Sequence, residues 1–87
     1  MARNTIGEKR VLDALSRGKL VYKRALLKQS EISNLTRERK KRAMSISSVN
    51  HAIGYLIEKG HVIEGTSYEL GGTINGKKYK GRGYRIK

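Results

Sequence analysis

Cysteine is absent from the 87 residues, which removes disulfide frameworks, thiolate zinc sites and thiol catalysis together. Tryptophan and phenylalanine are also absent, whereas a basic helix lying on a membrane needs large exposed apolar anchors. No run approaches the roughly 18 apolar residues of a membrane span, and the N-terminus lacks the apolar stretch of a signal peptide. A soluble, intracellular (cytoplasmic) chain with no membrane partner is therefore expected. Acid is scarce: 7 Asp+Glu stand against 20 Lys+Arg, for a net charge of +13. Asp13 is the only aspartate, and no cluster of acids forms around it to share a proton or hold a metal. His51 and His61 have neither cysteine nor paired carboxylates to complete a metal site. No glycine-rich loop follows a strand and opens a helix, so there is no phosphate cradle. These absences argue against an enzyme and predict no cofactor.

What is present describes a small globular domain. The chain is 37% hydrophobic with recurrent Ile, Leu and Val, which places it outside the disordered class. A single domain over residues 1–87 is expected, with roughly 60–65% of the extended-chain surface buried on folding. About one surplus positive charge per seven residues predicts adhesion to polyanions through phosphate contacts and counterion release.

Thr5-Ile6-Gly7-Glu8 fits a capping box, and Val11, Leu12 and Leu15 follow at helical spacing, so a first helix is predicted over about 5–17 with Gly18 as its stop. Leu20-Val21-Tyr22 is β-prone and reads as a short strand or as the entry to the next helix. Tyr22, Ala25, Leu26, Ile32 and Leu35 share one side of a second helix over about 23–34. Arg37-Glu38-Arg39-Lys40-Lys41-Arg42 then reads as a basic connector; the alternative is a further short helix from about Asn34 to Ala43.

The third helix carries the best signal. Ile46, Val49, Ala52, Ile53, Leu56 and Ile57 form one apolar stripe, Ser45 is a suitable N-cap and Gly60 a C-terminal stop. The opposite face presents Ser47, Ser48, His51, Tyr55 and Glu58, with Asn50 and Gly54 on its margins. Short hydrogen-bonding side chains in place of Lys and Glu are unusual for a merely solvated surface. Beyond Gly60 the period changes to two, and Asn75-Gly76 is a strong hairpin turn. A two-residue turn there pairs Ile74 with Lys77, Glu69 with Arg82, Ser67 with Tyr84 and Gly65 with Ile86. This register places Ile63, Tyr84 and Ile86 on the core face, and Gly71-Gly72 offers room for a bulge.

Helix, short strand, helix, capped helix ending at Gly60, then a basic two-stranded hairpin: this order resembles the winged helix-turn-helix DNA-binding domain. The match is strongest over residues 45–64, SISSVNHAIGYLIEKGHVIE, which look like the family's recognition helix running into its first wing strand. The basic run before that helix departs from the family's compact helix and tight turn. The resemblance implies an α+β fold with a three-helix core and a C-terminal β-hairpin wing. It also implies a recognition helix, about 45–59, in the major groove and a wing, about 61–87, on the backbone or minor groove. Carried over by position, Ser47, Ser48, Asn50, His51 and Tyr55 are the groove-facing set. Lys77, Lys78, Lys80 and Arg82 ride the wing, and Arg37, Arg39, Lys40, Lys41 and Arg42 supply further phosphate contacts. Asn is suited to bidentate contact with adenine.

The function expected is sequence-specific binding of double-stranded DNA, as a small transcriptional regulator or a bending, excisionase-like factor. Such stand-alone basic modules are common in viruses and plasmids, which is analogy only. The alternative partner is RNA, through a ribosomal or ribosome-associated winged helix, but those carry Lys and Arg where this helix carries Ser, Asn, His and Tyr. A viral protein that inhibits a host protein is a third reading, against which the positive charge argues. Lys80-Gly81-Arg82-Gly83-Tyr84 faintly echoes an RNA-recognition-motif strand, without its third-position aromatic or its βαββαβ order. A monomer or weak dimer is expected, with room for cooperative binding on adjacent sites.

Overall fold

A computed structural model describes residues 5–87; Met1, Ala2, Arg3 and Asn4, on which part of the signal-peptide reading falls, lie outside the described residues. Helix α1 spans Ile6–Tyr22. Its first turn closes the expected capping box: the Thr5 hydroxyl accepts from the Glu8 amide at 3.2 Å, and the Glu8 carboxylate accepts from the Thr5 amide at 2.6 Å. The helix does not stop at Gly18 but continues to a left-handed cap at Lys23 (φ 54°). Gly18 serves packing instead. A Cβ there would lie 2.3 Å from Leu27 Cδ1 and 2.6 Å from Leu35 Cδ1, so the glycine lets the following segment press against the helix. Leu20, Val21 and Tyr22 are accordingly helical and form no strand.

The strand-like residue is Leu27. Its amide donates to the Tyr84 carbonyl at 3.0 Å and its carbonyl accepts from the Tyr84 amide at 2.9 Å. That bridge commits the backbone before residue 28 to an extended path, so helix α2 begins at Gln29 and covers only Gln29–Leu35, not 23–34. Tyr22, Ala25 and Leu26 therefore belong to no α2 stripe. Glu31 caps α2 by accepting from the Lys28 amide at 2.9 Å and is ion-paired with Arg24.

Residues 36–45 form a connector and no further helix. It is a closed loop. The Glu38 and Lys41 backbones bond reciprocally at 3.2 and 3.1 Å. The buried Thr36 hydroxyl donates to the Ser33 carbonyl at 2.6 Å and accepts from the Met44 amide at 2.8 Å.

Helix α3, Ile46–Glu58, starts at Ser45, whose hydroxyl accepts from the Ser48 amide at 3.1 Å, and gives way at Gly60 (φ 78°). Val49, Ala52, Ile53 and Leu56 are buried against Val11, Ala14 and Leu15 of α1, Leu27, Ile32 of α2, and Val62 and Tyr84 of the sheet. The ends of the expected stripe are not core: Ile46 is 48% exposed and Ile57 37%. At the head of α3 it is Met44 that packs on the cluster, which leaves Ile46 outside it. Lys59 Nζ, just past α3, reaches the buried Glu8 carboxylate at 2.6 Å and ties the end of α3 to the start of α1. The Lys59 ammonium, with the hydrogen bonds from Thr5, holds the Glu8 carboxyl well below its ordinary 4.5, at about 2.

Strands β1 (Val62–Ser67) and β4 (Gly81–Ile86) pair antiparallel, and β2 (Thr73–Ile74) and β3 (Lys77–Lys78) form a second small sheet around Asn75-Gly76, both at positive φ. Ile74 lies opposite Lys77 as expected. At the base the register is displaced by three: Ser67 faces Gly81, Gly65 faces Gly83 and Glu64 faces Tyr84. A single 3-10 turn, Tyr68–Leu70, and the following two glycines set five residues against Tyr79 and Lys80 on the returning strand. The core face is consequently carried by Val62, with Tyr84; Ile63 is half-buried and Ile86 is 40% exposed. Gly71 and Gly81 permit the tight crossing, since a Cβ on Gly71 would sit 1.5 Å from the Tyr79 carbonyl oxygen. The result is a small α+β domain of three helices with a two-stranded antiparallel hairpin sheet. No helix among the described residues is long and apolar enough to cross a membrane.

Candidate nucleic-acid interface

A helix buried along one stripe must show its other arc to solvent, and on α3 that arc is Ser47, Ser48, Asn50, Gly54 and His51 with Tyr55, all exposed. Its chemistry is neutral and hydrogen-bonding as far as Tyr55; the exposed acid Glu58 closes the same face at the C-terminal end of the helix. Ser48 is partly engaged by the cap, accepting from the Ser45 hydroxyl at 2.9 Å. Gly54 has no atom near the position of a Cβ, so it leaves a flat place on the arc.

Two open grooves flank the arc. One, of about 580 Å³, is lined by Lys28, Gln29 and Ser30 at the start of α2, Ile46 at the head of α3, and Leu70, Arg82 and Tyr84 of the hairpin. The other lies between α3 and the start of α1, where Ser48, His51 and Tyr55 face Thr5 and Arg10. Each groove has a cationic margin. Lys28 and Arg82 border the first; Arg10 borders the second and also organises the connector. Its Nη2 donates to the Thr36 carbonyl at 2.8 Å and the Arg42 carbonyl at 2.7 Å. Arg10 Nε is buried with no partner among the described residues.

The sequence-derived cations fall into separate places. Arg37, Arg39, Lys40, Lys41 and Arg42 are all exposed on the connector, with Lys41 only loosely paired to Glu38 at 3.9 Å. Arg82 stands beside the head of α3, partly compensated by Glu64 at 2.9 Å. Lys77 and Lys78 are exposed at the hairpin tip and line no groove with α3; Lys80 lies 5.1 Å above the Tyr68 ring. Five of the seven acids (Glu8, Asp13, Glu31, Glu38 and Glu64) are held in ion pairs with Lys or Arg. The surplus that remains is cationic and lies largely on the connector and hairpin. No group of three or more His, Cys, Asp or Glu among the described residues is placed to hold a metal.

Two residues of the site escape a linear reading. Gln29 donates from Nε2 to the Asn50 Oδ1, and the same nitrogen lies 3.3 Å from the Tyr84 hydroxyl, so α2, α3 and the hairpin meet through one side chain. Asn50 is therefore not a free amide: its carbonyl end is occupied in the unbound protein. Arg10 is the other, since its role is visible only once α1 and the connector are seen to touch. No local pattern marks either residue. No family model, curated protein or solved structure matches the chain, so the functional reading rests on this geometry.

Proposed function

We propose that the chain is a winged helix-turn-helix protein that binds double-stranded DNA sequence-specifically, as a small transcriptional regulator or a DNA-bending factor. The observation that carries the reading is the neutral polar arc of α3 with cationic margins on both sides. The B-DNA major groove is wide enough to admit one helix, and its base edges offer donors and acceptors that Ser, Asn and His can meet. Phosphates on either side of that groove would meet Lys28 and Arg82 on one flank and the connector on the other. The Leu27–Tyr84 bridge adds to the support, because it sets one extended residue between the first two helices against the hairpin, at the place in the element order where the resemblance implies a short strand. In this reading the hairpin tip, with Lys77 and Lys78, follows the backbone or an adjacent minor groove.

The test is selection from a random duplex pool with RNA as competitor. A defined motif that resists RNA competition is expected. RNA that competes as well as the selected duplex would establish the RNA alternative, and equal binding of every duplex would leave a bending factor without base readout.

A further inference from the structure

We infer that Ile46 is a specificity-determining residue that packs against the 5-methyl group of a thymine; this rests on the proposed placement of α3 in the major groove. Ile46 is the first residue of α3 and fits the apolar stripe by spacing, yet it is 48% exposed while Val49, Ile53 and Leu56 are buried. Met44, two residues earlier, packs half-buried on the core instead. Ile46 lines the groove between the heads of α2 and α3, beside Gln29, whose amide holds Asn50. Lys28 and Arg82 border the same groove, so a duplex drawn in by those cations would cover the isoleucine.

A large apolar side chain at the head of a reading helix has one base-specific match. The other groups read in the major groove are hydrogen-bond donors and acceptors that an isoleucine would desolvate without replacing; the thymine methyl is the one apolar group that projects from a base edge there. The contact removes both apolar surfaces from water. It also specifies thymine over cytosine without any hydrogen bond, complementing the amide of Asn50.

The experiment replaces each thymine of the selected motif, one at a time, by deoxyuridine, which changes nothing but the methyl. At one position at least, binding by the parent protein should weaken about fourfold, the value of one buried methyl group. Ile46→Ala should bind the thymine and uracil duplexes alike, and Ile46→Val should keep part of the preference. A motif without thymine, no loss at any uracil, or an undiminished preference in Ile46→Ala would overturn the role of Ile46 while the DNA reading stands. Failure to select any motif would take down both the role of Ile46 and base reading by α3, leaving only the bending factor without base readout. A parent protein indifferent to every uracil already overturns the role of Ile46, so the proposal stays refutable even if a variant folds poorly, and a preference that Ile46→Ala or Ile46→Val diminishes assigns the methyl contact to this residue.

Discussion

Arg10→Ala should loosen the basic connector without dismantling the core. Arg10 sits on α1, and its Nη2 bonds the carbonyls of Thr36 and Arg42, the two ends of the segment that carries the exposed cations. Hydrogen bonds from a charged donor contribute about 1.5–3 kcal/mol each, with the solvent-exposed one to Arg42 near or below the lower limit. Together they come to about 3 kcal/mol. Against this, the buried and unpartnered Nε costs the parent about 1 kcal/mol, which alanine recovers. The net loss is about 2 kcal/mol, and for a domain this size that lowers Tm by about 8–16 °C. Arg10→Lys keeps the charge but replaces the planar fork by a point donor, and should recover only part of the loss. Thermal unfolding followed by circular dichroism measures the shift. Hydrogen exchange at the Glu38 and Lys41 amides, which are bonded across the connector turn, reports where the loosening occurs. A Tm within about 2 °C of the parent, with unchanged exchange at those amides, would refute the argument that Arg10 holds the connector.

Replacing Lys77, Lys78 and Lys80 together by Ala should weaken binding to all duplexes alike and flatten the log–log salt slope by up to about 2.7, with the selected motif unchanged; a changed motif would mean that the tip reads bases. Because the Glu8 carboxyl titrates at about 2 in the folded protein and at 4.5 ordinarily, its contribution to stability is complete above pH 4.5 and is lost as the pH falls toward 2. Lys59→Met should shrink that acid-sensitive contribution, and parent and variant curves that run parallel from pH 6 to 2 would contradict it. Gly71→Ala puts a Cβ 1.5 Å from the Tyr79 carbonyl oxygen, backbone against backbone, and should destabilise by at least the upper end of the usual overpacking range, about 1–3 kcal/mol. Gly72→Ala, with open space around the new methyl, is the control and should stay within about 0.5 kcal/mol in a urea titration. His51→Ala should leave Tm nearly unchanged and Asn50→Ala, which removes the acceptor of Gln29, should cost up to about 1 kcal/mol of stability, while one or both lose about 1–3 kcal/mol of affinity for the selected duplex and little for unrelated DNA; two variants that bind like the parent would show that α3 is not the reader.

Helix α3 is legible in the sequence because its determinants are local: the Ser45 cap, the four-residue buried stripe from Val49 to Leu56 and the Gly60 stop all lie within sixteen residues. The start of α2 is not, because it is set by a backbone bridge from Leu27 to Tyr84, far along the chain. Gly18 shows the same limit from the other side. By itself a glycine after a helical stripe reads as a stop, and only the approach of Leu27 and Leu35 reveals it as a packing site. The hairpin register fails for a reason of counting. The turn at Asn75-Gly76 fixes the tip pairing, but the 3-10 turn at Tyr68–Leu70 inserts residues on one side and moves every partner below it. With that shift, the core face passes from Ile63 to Val62.

The candidate site divides along the same line. Phosphate attraction depends on the number and rough distribution of cations and tolerates displacement over several ångströms, so composition alone is informative about it. Base reading, as proposed, would depend on where a few side chains are held, and the positions of those side chains are decided by contacts between distant segments. Gln29 engages Asn50 and approaches the Tyr84 hydroxyl, and Arg10 bonds the two ends of the connector. Ile46 makes the distinction concrete. Its spacing assigns it to the core, but Met44 is the residue packed on the cluster at the head of α3 and Ile46 lines the groove. In the proposed reading, a buried Ile46 would leave the arc only hydrogen bonds, and thymine and cytosine would be told apart by their 4-position oxygen and amino group alone. With Ile46 outside, the same reading makes a methyl group readable, which is why removing a single carbon from the DNA tests the arrangement of the protein.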